Sequence, residues 1–264
     1  MSNMNNVFGH GKAFIPFVTA GDCGLEFTEK LLFACEEGGA DLIEIGIPFS
    51  DPTAEGPVIQ EASERALKLG TTPDKIIEMV KKARADGLKV PLAFMTYANP
   101  VFNYGIEKFA QKCVECDICA VIIPEIPFEE KHEMSDIFDK YNVNMISLVA
   151  PTSHERTAMI ASEAEGFIYC VSSMGVTGMR KDIAENLVKD MVSSIKKVKD
   201  IPCAVGFGIS TPEQAENIAH IADGVIVGSA IVNIVAQHKQ DSIPYVKDYV
   251  KSMKDAVSFK TVKI

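Results

Sequence analysis

The feature that most constrains the fold is a repeated alternation of short apolar segments with amphipathic ones along the chain. Each apolar segment is a nearly continuous hydrophobic run, which is typical of a parallel strand covered on both faces. We predict strands at Ala13–Thr19, Ala40–Ile47, Val90–Tyr97, Cys119–Pro124, Asn144–Val149, Gly166–Ser172, Pro202–Phe207 and Gly224–Gly228. Eight strands that alternate with helices favour a closed parallel barrel over an open sheet.

The segments between these strands have helical periodicity, as in LEFTEKLLFACEEGG and PDKIIEMVKKARADG, and several end in Gly or Asn. We therefore predict an α/β fold, a single (β/α)8 TIM barrel with eight parallel strands that spans residues 1–264 as one domain. The length of 264 residues fits the ~250 typical of such barrels. An open doubly wound sheet is the main alternative, but TAGDCG, after the first strand, lacks the dinucleotide-binding glycine pattern.

The composition excludes several classes of partner. A net charge of −10 argues against binding to nucleic acid or to an anionic membrane surface, because both would repel the chain. The N-terminal segment MSNMNNVFGHGKAFIP lacks the pattern of a secretory signal, and the apolar runs are much shorter than the ~20 residues of a membrane span. We expect a cytoplasmic protein that binds a small molecule.

Three of the seven cysteines, Cys113, Cys116 and Cys119, form the pattern CxxCxxC. A metal site would need further ligands and a loop that carries all three thiols. Here Cys113 and Cys116 end a helical segment, while Cys119 opens a predicted strand. We interpret them as buried small hydrophobic residues and expect no metal.

A glutamate interrupts the second predicted strand, in the segment ADLIEIGIPFSDP. The alternation of side chains along a strand places Glu44 on the same face as Leu42 and Gly46. The neighbouring strands, AFIPFVT and VPLAFMTY, contain no Lys or Arg that could neutralise it. A buried carboxylate without a partner is costly unless its pKa rises, and proteins keep such groups mainly for acid–base chemistry. We therefore predict that Glu44 is buried and catalytic. Apolar surroundings that raise its pKa could come from Phe17, Met95 and Ile122.

The loop after this strand, SDPTAEGP, contributes two more acids, Asp51 and Glu55. Either could simply favour the N-terminus of the following helix. A second carboxylate near Glu44 would also allow the two acids to divide the work. One would shuttle protons, and the other would stay ionised against a developing positive charge.

Glycines mark three later connections. The sixth, SSMGVTGMRKD, is interpreted as a mobile lid whose Thr177 could hydrogen-bond a catalytic acid or the substrate. The seventh and eighth strands end in VGFGIS and VIVGSAI, where Gly208, Gly228 and Ser229 would let backbone N–H groups approach an anion at the start of the following helices. Glycines at both turns match the recurring phosphate site of this fold, which needs no basic patch.

Together these motifs resemble the α subunit of tryptophan synthase. The matching segments run in order along nearly the whole chain. They are PFVTAGD at 16–22, LIEIGIPFSDPTAEGP at 42–57, YANP at 97–100, GVTG at 175–178, GFGIS at 206–210 and IVGSAI at 226–231. The resemblance implies a lyase of tryptophan biosynthesis that cleaves indole-3-glycerol phosphate to indole and glyceraldehyde 3-phosphate.

The resemblance also implies roles for individual positions. Glu44 matches the proton-shuttling glutamate of the family, and Glu55 stands where the family usually has the aspartate that steadies the indole nitrogen. The positions that match the substrate pocket are Phe17, Met95, Tyr97, Ile122, Tyr169 and Thr177. The positions that match the phosphate-binding backbone are Gly178, Phe207, Gly208, Gly228 and Ser229. Asp51 and Pro52 match the loop that contacts the β subunit.

The resemblance implies an α2β2 heterotetramer, with pyridoxal phosphate in the β partner only and no cofactor in this chain. There are departures from the family pattern. Glu55 is one methylene longer than aspartate, Cys23 stands where the family often has proline, and Ser173 stands where a basic residue is also common.

Three alternatives for the function stay open. They are another phosphate-binding barrel such as a sugar-phosphate isomerase or epimerase, a stand-alone indole-releasing lyase, and a non-catalytic activator of a partner subunit.

Overall fold

The strands form one parallel sheet in the order that a closed barrel requires. The computed structural model describes residues 4–151, 153–171, 181–206 and 208–258. Within these residues the strands are β1 Ala13–Thr19, β2 Ile43–Gly46, β3 Leu92–Met95, β4 Ile118–Ile122, β5 Asn144–Met145, β6 Ser147–Val149, β7 Ile168–Val171, β8 Cys203–Gly206 and β9 Gly224–Val227. Their order in the sheet is β5-β4-β3-β2-β1-β9-β8-β7-β6.

The sheet closes because β5 and β6, at the two ends of this order, follow one another in the chain. The predicted α/β barrel is thus confirmed with one correction: nine strands lie within the described residues, because the predicted strand Asn144–Val149 is divided at Ile146. Before Ile146 the backbone pairs with β4, through Ala120 and Val121, and after it the backbone pairs with β7. In the described part of the chain no backbone pairing joins β4 to β6.

Most of the other strands are shorter than predicted, whereas Ala13–Thr19 is confirmed with its predicted bounds. The apolar run extends past the paired residues because the adjoining loop residues are buried as well. Tyr97, for example, ends the predicted third strand but is the residue before a helix, with only 3% of its surface exposed.

Helices surround the sheet. In the described ranges they are α1 Met4–Val7, α2 Leu25–Glu37, α3 Pro57–Lys68, α4 Pro73–Ala85, α5 Ala98–Tyr104, α6 Ile106–Glu115, α7 His132–Lys140, α8 His154–Glu163, α9 Lys181–Val198, α10 Pro212–Ala219, α11 Ser229–His238 and α12 Ile243–Val257. Local signals fix their starts: proline is the first residue of α3, α4 and α10, and Thr211 forms a capping box with Gln214. The helical periodicity does not predict the short helices α1 and α5. No helix of the described residues is long and apolar enough to cross a membrane.

The apolar core has two layers, separated by the sheet. Side chains that point into the barrel include Ala13, Ile15, Leu42, Ala93, Ile122, Tyr169, Ala204 and Ile226. A larger cluster, with Phe14, Ile43 and Phe94, packs between the strands and the helices. Phe8, just after α1, lies against Phe167 with ring centroids 5.6 Å apart and covers the N-terminal end of the barrel interior.

The same N-terminal end is fastened by aspartates that precede strands. Asp41 accepts a hydrogen bond from the backbone N–H of Phe14 and another from the Lys254 ammonium, both at 2.7 Å. Asp223 accepts one from the backbone N–H of Cys203 at 3.0 Å. Each aspartate therefore ties the start of its own strand to a neighbouring strand.

A partly buried arginine joins the loops at this end. Arg84, near the end of α4, donates to four backbone carbonyl oxygens at 2.8–3.3 Å. The carbonyls belong to Leu88, Val90, Cys116 and Asp117. One guanidinium thus holds the segments that enter β3 and β4, which suits its fixed fork of five donors.

The CxxCxxC cysteines lie where the sequence predicts. Cys113 is in α6, Cys116 follows it, and Cys119 is the second residue of β4, all three buried. The Cys116 and Cys119 thiols donate to separate backbone carbonyls, of Ile77 and Leu92. In the described ranges no group of three or more His, Cys, Asp or Glu is arranged to hold a metal ion.

Candidate active site

Glu44 lies in the barrel wall with no contact to water. It stands in β2 between Phe17 of β1 and Ala93 of β3, and its exposed fraction is 0%. Among the described residues neither carboxylate oxygen has a hydrogen-bond partner. Burial raises the pKa of Glu44 to about 8, because the charged form loses its hydration without gaining a compensating charge. The predicted burial of this glutamate is therefore confirmed.

Two glycines make room for aromatic rings near Glu44. A Cβ atom on Gly46 would lie 2.4 Å from the Phe17 ring, and one on Gly206 would lie 2.4 Å from the Tyr169 hydroxyl. Since real Cβ contacts are never so short, each ring needs a residue without a side chain beneath it. The two rings consequently stand over the C-terminal ends of β2 and β8.

Tyr169 lies in the field of both predicted catalytic acids. Only 8% of its surface is exposed, and burial, followed by the charges of Glu44 and Glu55, raises the pKa of its phenol well above the usual value. The phenol therefore stays protonated. Both carboxyl groups therefore lie near enough to Tyr169 for their charges to act on its phenol.

Glu55 belongs to the loop that follows β2. Its carboxylate accepts a hydrogen bond from the Tyr97 hydroxyl, and its own carbonyl oxygen accepts one from the Gln60 side-chain amide at 2.8 Å. Burial, with a contribution from the nearby Glu125, raises the pKa of Glu55 to about 7. Glu44 and Glu55 thus have different surroundings, one fully buried and unpaired, the other hydrogen-bonded in a loop.

A cavity of about 770 Å³ reaches the barrel mouth at Tyr169 and extends between α7 and α8, and neither Glu44 nor Glu55 is among the described residues that line it. Its lining includes Ala54, Met95, Leu148 and Tyr169 from the barrel mouth and Ile123, Pro124, Ser147, Lys131, Arg156 and Lys199 farther out. It runs past the break between β4 and β6, because residues on both sides of that break line it. The volume is within the range of pockets that hold a small organic ligand.

Of the two glycine turns predicted to bind a phosphate, only the eighth lies directly at the start of a helix. Gly228 precedes α11 and Ser229 is the first residue of that helix, so backbone N–H groups are present at a helix start. At the seventh turn α10 begins at Pro212, as the helical segment PEQAENIAHIA predicts, and Gly208 lies in the loop before it. Gly208 has φ +77°, a left-handed conformation that favours glycine.

The remaining predicted residues differ in how exposed they are. Asp51 is exposed and Pro52 partly exposed, on the loop that also carries Glu55. Phe17 and Ile122 are buried, and Met95 is partly exposed. The predicted lid residues Thr177, Gly178 and Ser173, together with Phe207, lie outside the described residues.

Three polar residues of this end have no predicted role. Glu125 follows β4 and accepts the backbone N–H of Ala98 at 2.6 Å. Thr19 and Thr96 end or follow their strands, and their buried hydroxyl oxygens have no partner among the described residues. The signal in the sequence is a polar side chain at the end of an apolar strand, the same signal that identifies Glu44.

Comparisons with known proteins agree with this geometry. The family model "Tryptophan synthase alpha chain" matches residues 5–258. The chain belongs to this family. A tryptophan synthase alpha chain from Lacticaseibacillus casei is 45% identical over 260 residues, which cover 98% of this chain and 97% of that relative. One from Lactiplantibacillus plantarum is 45% identical over 262 residues, 99% of this chain and 98% of that relative.

Solved structures of tryptophan synthase chains show the same fold. The crystal structure of the alpha chain from Legionella pneumophila has a TM-score of 0.88 at 34% identity, with 99% of each chain covered. A chain of Mycobacterium tuberculosis tryptophan synthase has a TM-score of 0.88 at 31% identity, with 98% of this chain and 99% of that chain covered. Membership in the tryptophan synthase alpha family accounts for the order of motifs along the whole sequence.

Proposed function

We propose that this chain catalyses the α reaction of tryptophan synthase, the retro-aldol cleavage of indole-3-glycerol phosphate to indole and glyceraldehyde 3-phosphate. It is then a lyase of tryptophan biosynthesis. The observation that carries the proposal is Glu44, a fully buried carboxylate without a partner among the described residues, in the wall of a parallel barrel whose Tyr169 lines a cavity. Family membership supplies the substrate.

Glu44 is suited to donate a proton and then to accept one. With a pKa of about 8 it is mostly protonated at pH 7, so it can protonate indole C3 as a general acid. Protonation at C3 makes the ring an electron sink. The carboxylate left behind then takes the proton of the side-chain hydroxyl, the C–C bond breaks, and its electrons restore the aromatic indole. The cycle returns Glu44 to its protonated form.

Glu55 is assigned the second task, which is to stabilise the positive nitrogen of the C3-protonated ring. A carboxylate that accepts the N–H forms a charge-assisted hydrogen bond, which strengthens as the charge develops. A pKa of about 7 leaves a large fraction of Glu55 ionised at neutral pH. Its surroundings therefore favour the anion more than those of Glu44 do.

The remaining contacts of the substrate follow the predicted assignments. The indole ring is assigned to the apolar surface formed by Phe17, Met95, Tyr97, Ile122 and Tyr169, and Thr177 is assigned to the same substrate pocket. The phosphate is bound by backbone N–H groups of Gly178, Phe207, Gly208, Gly228 and Ser229. The helix start at Gly228 and Ser229 supports this assignment, because the positive end of a helix dipole attracts an anion even on a chain of charge −10.

We further propose a tryptophan synthase β subunit as the partner, in an α2β2 heterotetramer that contains pyridoxal phosphate in the β subunit only. Asp51 and Pro52, on the loop next to Glu55, are assigned to the contact. The reaction of this chain needs no cofactor, because proton transfer to C3 supplies the electron sink. We assign residues 1–264 to one barrel domain that works in the cytoplasm.

The test measures indole released from indole-3-glycerol phosphate, with and without a β subunit. Release by the chain that rises when the β subunit is added supports both proposals. Release that the β subunit leaves unchanged indicates a stand-alone lyase. No release in either assay, with tryptophan formation from added indole increased by the chain, indicates a non-catalytic activator. Turnover of a sugar phosphate without release of indole would instead indicate an isomerase or epimerase.

A further inference from the structure

Among the described residues, the polar side-chain contacts of Tyr97 are all with a single loop. Its hydroxyl donates to the Glu55 carboxylate and accepts the backbone N–H of Ala54 at 2.9 Å. Its ring packs against Phe49, with ring centroids 5.3 Å apart. These three residues all belong to the connection that follows β2. Tyr97 therefore holds this loop at three points.

The Tyr97 hydroxyl has no second hydrogen that it could donate to a substrate. A phenol has one hydrogen to donate, and Tyr97 gives it to Glu55. The geometry therefore assigns the hydroxyl to the acid rather than to a ligand.

From these contacts we infer that Tyr97 is a positioning residue, which holds the Glu55 carboxylate in place for its task in the proposed reaction. The inference rests on the proposed function and deepens it. A glutamate has one more rotatable bond than an aspartate, so a carboxylate at this distance from the backbone can reach more positions. A hydrogen bond that selects one of these positions keeps the acid where the charge develops.

Both ends of Glu55 are fixed, and so is Tyr97 itself. The Gln60 side chain binds the Glu55 carbonyl oxygen, while Tyr97 binds the carboxylate. The backbone on either side of Tyr97 is hydrogen-bonded. The Thr96 N–H donates to the Ile122 carbonyl of β4 at 3.0 Å, and the Ala98 N–H donates to the Glu125 carboxylate at 2.6 Å. The position of the acid is thus set from β4, through Tyr97, rather than by the loop alone.

The test is a double-mutant cycle of Tyr97→Phe with Glu55→Gln. Tyr97→Phe removes only the hydroxyl, and we expect kcat for indole release to fall by about tenfold while KM changes by less than about twofold. In the Glu55→Gln background, followed by single-turnover measurements at high enzyme concentration, we expect no further loss from Tyr97→Phe. Such non-additivity is the signature of a residue that acts through another.

The matched control is Tyr104→Phe. Tyr104 also donates its hydroxyl to a carboxylate, Asp74, at 2.6 Å, but on the outside of the barrel. We expect this variant to keep the wild-type kcat and KM, and thermal unfolding of each variant shows whether it is folded.

Three results would contradict the positioning role: an unchanged kcat in folded Tyr97→Phe, a raised KM at constant kcat, or additive losses in the cycle. A wild-type chain that releases no indole, alone or with the β subunit, contradicts the proposed function instead. The two failures are therefore distinguishable.

Discussion

The two ends of the barrel differ in the buried polar atoms that they leave without a partner. At the N-terminal end Asp41 accepts two hydrogen bonds and Arg84 donates to four carbonyls. At the C-terminal end four buried oxygens, of Thr19, Glu44 and Thr96, have no partner among the described residues. An unpaired buried polar atom costs free energy, so a fold under selection for stability alone would not keep them together. The difference separates an end that holds the barrel closed from an end that is kept for chemistry.

The sharpest test of this contrast is Glu44→Gln. The variant keeps the shape of the side chain but cannot exchange a proton, so we expect kcat for indole release to fall by ~10² to ~10⁴. Circular dichroism and binding of inorganic phosphate should stay as in the wild type, since no described contact is lost. A variant with near-normal kcat would show that the buried acid has no part in the reaction.

The pH dependence of stability should reveal the same carboxyl group. Folded Glu44 holds its proton up to a pKa of about 8, whereas in the unfolded chain the same group loses it near its usual pKa of 4.5. The folded state therefore binds more protons between these values, and its contribution to stability falls as the pH rises. Relative to Glu44→Gln, we expect the free energy of unfolding to decline by up to about 1.4 kcal/mol per pH unit from pH 5 to pH 8. Urea titrations of both proteins check this, and parallel curves would contradict it.

The opposite end should respond in stability and not in catalysis. Arg84→Met leaves four backbone carbonyls without their donor, and we expect the free energy of unfolding to fall by about 3 kcal/mol. At a temperature where the variant is folded, kcat and KM should be those of the wild type. The control is Arg156→Met, because Arg156 in the surface helix α8 pairs with Glu129 among the described residues, and its loss should cost less than about 1 kcal/mol. An equal loss of unfolding free energy in the two variants would contradict the role of Arg84 in holding the segments that enter β3 and β4.

The smallest expected effect is at Asp41. Asp41→Asn keeps an oxygen that can accept the Phe14 N–H but loses the ion pair with Lys254, so we expect a loss of about 1 kcal/mol. Differential scanning calorimetry measures it, and added salt should reduce the gap from the wild type, since screening weakens the lost ion pair. A gap that does not depend on salt would show that the aspartate acts through its hydrogen bond alone.

The sequence predicts the barrel and the buried acid because both depend on patterns that persist in three dimensions. Strand–helix alternation has few folded solutions, and a glutamate flanked by strands without Lys or Arg has no base to pair with. The start of α10 is predicted as well, since the helical segment PEQAENIAHIA begins at Pro212, where Thr211 and Gln214 form a capping box.

Other features depend on geometry that no local pattern encodes. The contact of Tyr97 with Glu55 joins residues 42 positions apart, and it requires the folded shape of the loop after β2. The break at Ile146 arises where the backbone changes partners from β4 to β7, which alternation of apolar residues cannot show. The lid and Phe207 stay predictions.

The change of partners at Ile146 has a mechanical consequence. A barrel in which every neighbouring pair of strands is hydrogen-bonded can widen only by stretching many backbone hydrogen bonds at once. A barrel with one unpaired stretch, here between β4 and β6, can widen there by rotating the two strands apart, and no backbone hydrogen bond has to break. The cavity runs past this stretch. We therefore expect the barrel to widen there to fit a ligand at little cost in free energy.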